Sequence, residues 1–263
     1  MIPCKGFQFT NPLQNGFENF TCSCYDLVLN WQANASILIE KEAKEMTYDE
    51  IKKDPAIRVY IAQADASMET LGFTEHSFAH VTKVAEIAGR ILQQLGYPER
   101  TVELARIAGY LHDIGNVVNR VDHSQSGAVM AFRILDRLEF PPEEIASIVT
   151  AIGNHDEGTG VPVNAVAAAL IIADKCDVRR SRVRRKADIE EDIHDRVNYA
   201  VTSASLEMKP EESIIQLNLH VDTQISPVME YFEIFTKRML MCRKAAQKLG
   251  LTFQLMINDQ RIV

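Results

Sequence analysis

The sequence predicts a mainly α-helical fold with a small C-terminal β-α-β appendage. Two observations lead to this prediction. From residue 76 to about 207, apolar residues recur at the i, i+3, i+4 spacing of helices that bury one face. Beyond residue 208 the period changes to alternation in two short stretches, which is typical of half-buried strands. The 263 residues, 46% hydrophobic and 24% charged, suffice for one such domain with an extension.

The first 45 residues show no sustained helical period and mix aromatic residues with Asn, Gly and Pro. We predict that residues 1–45 form a poorly ordered N-terminal extension. A domain then begins at Met46, a natural start site, because Thr47 and Glu50 have the spacing of a helix capping box. The five Cys residues follow no disulfide framework, which indicates reduced thiols and a cytoplasmic protein.

Five amphipathic helices are predicted after residue 76, each marked by one apolar stripe. Gly96 and the Pro-containing segments 97–99 and 140–144 separate them. The stripes are Val81, Val84, Ala85, Ala88, Ile91 and Leu92; Leu104, Ile107, Ala108 and Leu111; Ala131, Ile134, Leu135 and Leu138; Ile145, Ile148, Val149 and Ile152; and Val166, Ala169, Leu170 and Ala173. We therefore place a helical domain at residues 46–207.

Residues 208–263 are predicted to form a strand, a helix and a strand packed on the same domain. The first strand alternates at Ile215, Leu217, Leu219 and Val221, and the second at Phe253, Leu255 and Ile257. The helix between them spans about 227–249. A two-stranded sheet against the helices is the alternative arrangement. The Met-rich helix is explained equally by core packing and by a homodimer face.

Six ionisable residues lie on, or at the ends of, the five apolar stripes. A lone His on such a face is usually a hydrogen-bonded core residue, and a lone Asp is usually a solvated cap. An ionised carboxylate in an apolar place is costly unless it is paired or bound to a metal. A single cause explains the positions of all six ionisable residues better than six independent coincidences. We predict a centre for one or two divalent ions, since imidazole and carboxylate suit Fe, Mn, Co, Ni or Zn. The predicted ligands are His80, His112, Asp113, His123, His155 and Asp174.

This pattern resembles the HD-domain metal-dependent phosphohydrolase superfamily. His80, the His-Asp pair in "LHDIGN" and the Asp in "AD" at 173–174 match its H…HD…D combination, and the resemblance covers about residues 70–205. It implies an HD-domain helical bundle in which His80, His112, Asp113 and Asp174 hold one metal. The resemblance also implies catalytic roles for Asp113 and His112.

Two further histidines match the two-metal branches of that superfamily, which include HD-GYP cyclic-dinucleotide phosphodiesterases and diadenosine tetraphosphate hydrolases. By this resemblance Asp113 bridges to a second metal held by His123 and His155. Asn116 stands where the family usually has Lys, and the segment 157–162 lacks the preceding double His of HD-GYP proteins. These departures weaken the prediction of a cyclic-dinucleotide substrate.

Two other features remain open between structural and functional roles. His76, one turn before His80, is either a further site residue or a helix-start residue. The pair His194-Asp195 is either a polar helix feature or a contact to the site or its substrate.

A basic run at residues 179–186 follows the last predicted ligand in a chain whose net charge is -8. Its later residues are equally well explained as a solvated face. Lys175, Arg179 and Arg182 lie within two turns of Asp174, and we predict that they bind the phosphate of a small phosphate ester or nucleotide. The net charge and the lack of interleaved aromatic residues favour neither a membrane nor stable nucleic-acid binding.

The predicted function is that of a metal-dependent phosphohydrolase that uses a metal-activated water. Two alternatives fit the same residues. One is a mixed-valent di-iron oxygenase of the HD type, and the other is a non-catalytic metal-bound sensor module.

Overall fold

The computed structural model of the chain describes residues 46–184, 189 and 192–263. The predicted extension, residues 1–45, and the basic-run residues 185 and 186 lie outside the described residues. The helices are α1 (Tyr48–Lys53), α2 (Pro55–Thr70), α3 (Phe78–Gln94), α4 (Glu99–Leu111), α5 (His123–Arg137), α6 (Pro142–Gly153), α7 (Ala165–Lys175), α8 (Ile193–Ala200) and α9 (Val228–Lys248). The strands are β1 (Val201–Lys209), β2 (Ile214–Val221), β3 (Thr252–Ile257) and β4 (Gln260–Arg261).

The mainly α-helical fold class is confirmed, and the five predicted stripes lie on α3 to α7. The capping box is also present: the Thr47 side chain accepts from the Glu50 amide, and the Glu50 side chain accepts from the Thr47 amide. Among the described helices, none has both the length and the apolar character needed to cross a membrane.

Helix α7 is the centre of the core. Every residue of α7 after Ala165 is buried, so this helix is buried on all sides and not only on the single stripe that the sequence analysis predicted. It packs against α3, α4, α6 and α9. Asp174 and Lys175, in its last turn, are therefore delivered into the interior rather than into solvent.

Helices α3 and α4 approach each other closely, and Gly109 makes this possible. A Cβ atom at Gly109 would lie 2.7 Å from Cα of Ala85 on α3. Helix α4 ends two residues later, so the close packing fixes the position of the His112-Asp113 pair that follows it. A single 3-10 turn, Ile114–Val117, continues the chain.

The C-terminal part forms a four-stranded sheet in the order β1-β2-β3-β4. Strands β2 and β3 are parallel and are connected by α9, so the predicted β-α-β unit is present. The two-stranded alternative is wrong, because β1 and β4 pair antiparallel with the outer edges of this unit.

The prediction of helix as far as residue 207 is also wrong. Helix α8 ends at Ala200, and β1 begins at Val201, so the sheet starts before the predicted boundary at 208. Strand β1 lies at the edge of the sheet and leaves most of its side chains partly or fully exposed. Its sequence therefore lacks the apolar alternation that identified the buried strand β2.

Candidate metal centre

The six predicted ligands converge because they lie at helix ends whose apolar faces share one core. His80 is in the first turn of α3, and His123 is the first residue of α5. His112 and Asp113 follow α4, His155 follows α6, and Asp174 is in the last turn of α7. Each of the six is at most 9% exposed.

One group of ligand-type atoms surrounds the Oδ2 atom of Asp113. The Nε2 atoms of His80 and His112 lie 3.6 and 3.3 Å from it. Oδ1 of Asp174 lies 3.4 Å from Nε2 of His80 and 3.7 Å from Nε2 of His112. Two imidazoles and two carboxylates thus face a common point.

A second group faces the other oxygen of the same carboxylate. Oδ1 of Asp113 is 3.6 Å from Nε2 of His123 and 4.0 Å from Nε2 of His155. The two Nε2 atoms are 3.1 Å apart. Asp113 is therefore placed so that each of its oxygens serves one group.

The outward-facing nitrogen of each imidazole has an oxygen partner, which orients the ring. Nδ1 of His112 donates to the Gly109 carbonyl at 2.8 Å, and Nδ1 of His155 donates to the Ile152 carbonyl at 2.6 Å. Nδ1 of His123 faces the Arg120 carbonyl at 3.1 Å. Since a carbonyl only accepts, these rings carry a proton on Nδ1 and direct Nε2 at the centre.

The first group fits a divalent cation on the evidence of its own unsatisfied atoms. Nε2 of His80 and Nε2 of His112 are buried and have no hydrogen-bond partner among the described residues. A buried polar atom without a partner costs about 1–3 kcal/mol. A cation bound by His80, His112, Asp113 and Asp174 would satisfy both nitrogens and offset both carboxylates.

The electrostatics of the centre also favour positive charge. Burial raises the pKa of Asp113 and of Asp174, but the neighbouring His112 and Lys175 side chains hold these pKa values well below the usual range. Burial lowers the pKa of His112, but the carboxylates of Asp113 and Asp174 outweigh burial and raise it to about 10. A metal ion that binds here therefore replaces a proton.

Two residues support the predicted ligands through contacts that the sequence analysis did not predict. Asp177, which is inaccessible to solvent, accepts from Nδ1 of His80 at 2.8 Å through Oδ2. Its Oδ1 atom lies 2.7 Å from Nζ of Lys83. Asn116, at the family's usual Lys position, donates from Nδ2 to Oδ1 of Asp113 at 3.0 Å. Asp177 lies just beyond the end of α7, so no helical periodicity identifies it.

A small polar cavity, the metal-facing cavity, opens onto the converging residues. Asp113, His123, His155 and Asp174 contribute to its lining, together with His76. The remaining residues of its lining are four cations, Arg120, Lys175, Arg182 and Arg238. An anionic group bound beside the centre would contact these four cationic side chains.

Of the predicted phosphate-binding residues, Lys175 and Arg182 line this cavity and Arg179 does not. The Arg179 guanidinium instead pairs with Asp177 at 3.0 Å and with Glu75 at 3.2 Å. The structure thus assigns Arg179 to holding Asp177 in place, contrary to the predicted contact with substrate.

The sequence left open the roles of His76 and of the pair His194-Asp195, and all three residues line a neighbouring cavity of about 150 Å³. His194 and Asp195 line it, and His76 lines both cavities. The His76 ring centroid is 5.7 Å from that of His80, and Nδ1 of His76 donates to the Thr74 carbonyl at 2.6 Å. His76 is thus part of the surroundings of the centre.

Comparisons with known proteins agree with this geometry. Residues 77–179 match the family model of the HD domain, and the six converging residues all lie within this segment. The match supports the HD superfamily, whereas the HD-GYP and diadenosine tetraphosphate hydrolase branches stay predictions.

A protein of Methanocaldococcus jannaschii, described as uncharacterized, is 27% identical over 163 residues, 53% of this chain and 62% of that protein. The chain thus matches less than two thirds of this relative's length. A crystal structure of a predicted HD superfamily hydrolase from an uncultured Thermotogales bacterium shows 25% identity, covering 51% of this chain and 75% of that one. Its TM-score is 0.38, so no conclusion about this chain is drawn from that structure.

Proposed function

We propose that the chain is a metal-dependent phosphohydrolase that acts on a small phosphate ester or nucleotide. The observation that carries the proposal is the juxtaposition of two features. Two buried imidazole nitrogens, which have no hydrogen-bond partner in the described part of the chain, face two carboxylates. The cavity in front of them is lined by four cationic side chains. The HD-domain match over residues 77–179 supports the same reaction class.

One set of residues would bind the metal ions, and another would bind the phosphate. His80, His112, Asp113 and Asp174 would hold one divalent ion, and Asp113 with the His123–His155 pair would hold a second. Such an ion supplies a water of lowered pKa and a Lewis acid for a phosphoryl oxygen. The hydrogen bonds at Nδ1 keep the imidazoles oriented for this role.

Arg182 is the best-placed phosphate-binding group. Its guanidinium is buried and is anchored by the Glu75 carbonyl at 3.0 Å and the Asp177 carbonyl at 3.1 Å. It forms no ion pair within 4.0 Å among the described residues, although the charge of the nearby Asp177 acts on it. Burial lowers the pKa of Arg182, which reflects the cost of this arrangement. An anionic substrate would offset that cost.

Lys175 is a second fixed positive charge. Its Nζ atom lies 2.8 Å from Oδ2 of Asp174 and 3.3 Å from Oε1 of Glu157, and Nε of Arg238 contacts the same Glu157 oxygen at 2.7 Å. Burial lowers the pKa of Lys175, but Asp174 and Glu157 outweigh burial and raise it. Lys175 therefore stays protonated and links the ligand Asp174 to the phosphate side of the cavity.

The test is hydrolysis of phosphate esters and nucleotides by the full chain loaded with Mn or Co, without oxygen. We expect phosphate release that Asp113→Ala abolishes and that the matched exposed variant Asp136→Ala retains. Oxygen uptake with Fe and no phosphate release would point to the oxygenase. Bound metal with neither reaction would point to the sensor module, and either result would contradict the proposal.

A further inference from the structure

The cavity of about 150 Å³ beside the centre, here called the antechamber, is lined by arginine side chains on one side and by acidic and other polar side chains on the other. It shares His76, Arg120, Arg182 and Arg238 with the metal-facing cavity, so the two spaces adjoin. Away from these shared residues, its lining includes the polar side chains of helix α8 and the segment just before it. These side chains are Asp192, His194, Asp195 and Asn198.

We propose that the antechamber binds the organic part of the substrate, and that the substrate is the phosphomonoester of a small polyol or sugar. This inference rests on the proposed function, because it assumes that the phosphate lies at the metal-facing cavity. It goes further by assigning a second site and a substrate class.

The charges of the antechamber fix the orientation of such a ligand. Arg120, Arg182 and Arg238 are on the side shared with the metal-facing cavity, where a phosphate dianion is attracted. Asp192 and Asp195 repel a phosphate, and an ionised carboxylate can only accept hydrogen bonds. Asp192 also accepts from the His194 amide at 2.7 Å through Oδ1. Hydrogen-bond donors on the far part of the ligand would therefore be favoured at this end of the cavity. Hydroxyl groups meet this need without adding a cation beside three guanidinium groups.

The size of the antechamber favours a compact ligand. Its volume of about 150 Å³ falls below the ~300–1,000 Å³ of pockets that hold drug-sized molecules. At ~30 Å³ for each water in the liquid, it holds roughly five waters. A short polyol or one sugar ring is on this scale, and a nucleoside is larger.

Two phenylalanine rings of the antechamber each contact an arginine side chain. The Phe235 ring is buried, and the Arg238 guanidinium lies over it at 4.5 Å. The Arg120 guanidinium similarly lies 5.6 Å from the centroid of Phe73. Both rings therefore hold arginine side chains in position, which supports phosphate binding.

The position of these residues in the chain explains why they would determine specificity. The HD-domain match ends at residue 179, whereas α8 and α9 lie beyond it. The segment that matches the HD domain thus supplies the metal-binding residues, and the chain after residue 179 supplies Asp195, Asn198, Phe235 and Arg238. The pair His194-Asp195 accordingly belongs to a binding site rather than to the metal centre.

The experiment compares three phosphomonoesters on the metal-loaded full chain. Ribose 5-phosphate is the matched probe, adenosine 5′-monophosphate adds a base to the same phosphoribosyl group, and phenyl phosphate has no hydroxyl group. We expect kcat/KM to be highest for ribose 5-phosphate, by about tenfold or more over each of the others. Asp195→Asn or Asp192→Asn should reduce the preference for ribose 5-phosphate over phenyl phosphate by about tenfold, the typical effect of a lost hydrogen bond to a charged group. The exposed control Asp259→Asn should keep the wild-type preference.

Calorimetric binding of ribose 5-phosphate and of inorganic phosphate to the same proteins separates the two proposals. Tighter binding of ribose 5-phosphate that Asp195→Asn abolishes, without hydrolysis of any probe, would support the antechamber and refute the hydrolase. Preference for adenosine 5′-monophosphate would overturn the antechamber proposal alone. Unchanged preference and binding in both aspartate variants would do the same.

Discussion

Replacing Asp177 with Asn should weaken metal binding although Asp177 is not itself a predicted ligand. Its Oδ2 atom accepts from Nδ1 of His80 at 2.8 Å, and both side chains are inaccessible to solvent. Burial raises the pKa of Asp177, but His80, Arg182 and Lys83 hold it well below the usual range, so the carboxylate is ionised. Asn keeps the shape and one accepting oxygen but removes the charge.

The expected loss of metal affinity is about 10- to 100-fold, the usual effect of removing an outer partner of a metal-binding His. This range corresponds to about 1.4–2.7 kcal/mol. It agrees with the ~1.5–3 kcal/mol of a hydrogen bond to a charged group. The change acts on the orientation and basicity of the His80 ring, so the helices should still fold.

The assay is competition for Mn or Zn between the protein and a chelator of known affinity. Lys83→Met is the matched control, because it removes a 39% exposed partner of the same carboxylate and leaves the contact to His80. We expect the control to change affinity by less than about fivefold, as for exposed ion pairs. Wild-type affinity in a folded Asp177→Asn protein would refute the role of Asp177 and weaken the assignment of His80 as a ligand.

Three further predictions follow from the sequence and structure. Arg182→Ala should raise KM for a phosphorylated substrate by about 10- to 100-fold with metal content unchanged, whereas Arg179→Ala should change KM by about twofold or less; equal effects would contradict the assignment. Gly115→Ala places a Cβ 2.0 Å from a backbone oxygen of α5 and should lower the free energy of unfolding by about 3 kcal/mol or more, measured by denaturant unfolding. Gly153→Ala, where the nearest atom is 3.6 Å away, should stay within about 0.5 kcal/mol. A chain that begins at Met46 should keep its melting temperature and activity, and a large fall in either would show that residues 1–45 are integral.

The sequence was most informative for elements with many buried residues, such as α7 and β2. The stripe on α7 ends in Asp174 because a helix buried on all sides delivers its last turn into the core, and this could be predicted from "AVAAALIIADK" alone. Strand β2, buried on one face, showed its alternation clearly. Strand β1 did not, because few of its side chains enter the core.

The contacts between distant segments could not be predicted in the same way. In the sequence, nothing distinguishes Asp177 from other polar residues. Its hydrogen bond to His80 on α3 joins two residues that are 97 positions apart. Arg238 lies on α9 and reaches the metal-facing cavity only because α9 packs on α7. Local periodicity carries no information on such pairings, so Arg179 was assigned to the substrate although it is bonded to Asp177 and Glu75.

The most direct test of the metal centre is elemental analysis of the full chain, purified without chelator and supplied with Mn, Fe, Co, Ni or Zn. We expect between about one and two equivalents of bound metal. Asp113→Ala should lose the metal while its circular dichroism still shows folded helices, and His123→Ala should lose mainly the second equivalent. Less than about a tenth of an equivalent of every metal in the wild-type protein would contradict the assignment of the six converging residues as ligands.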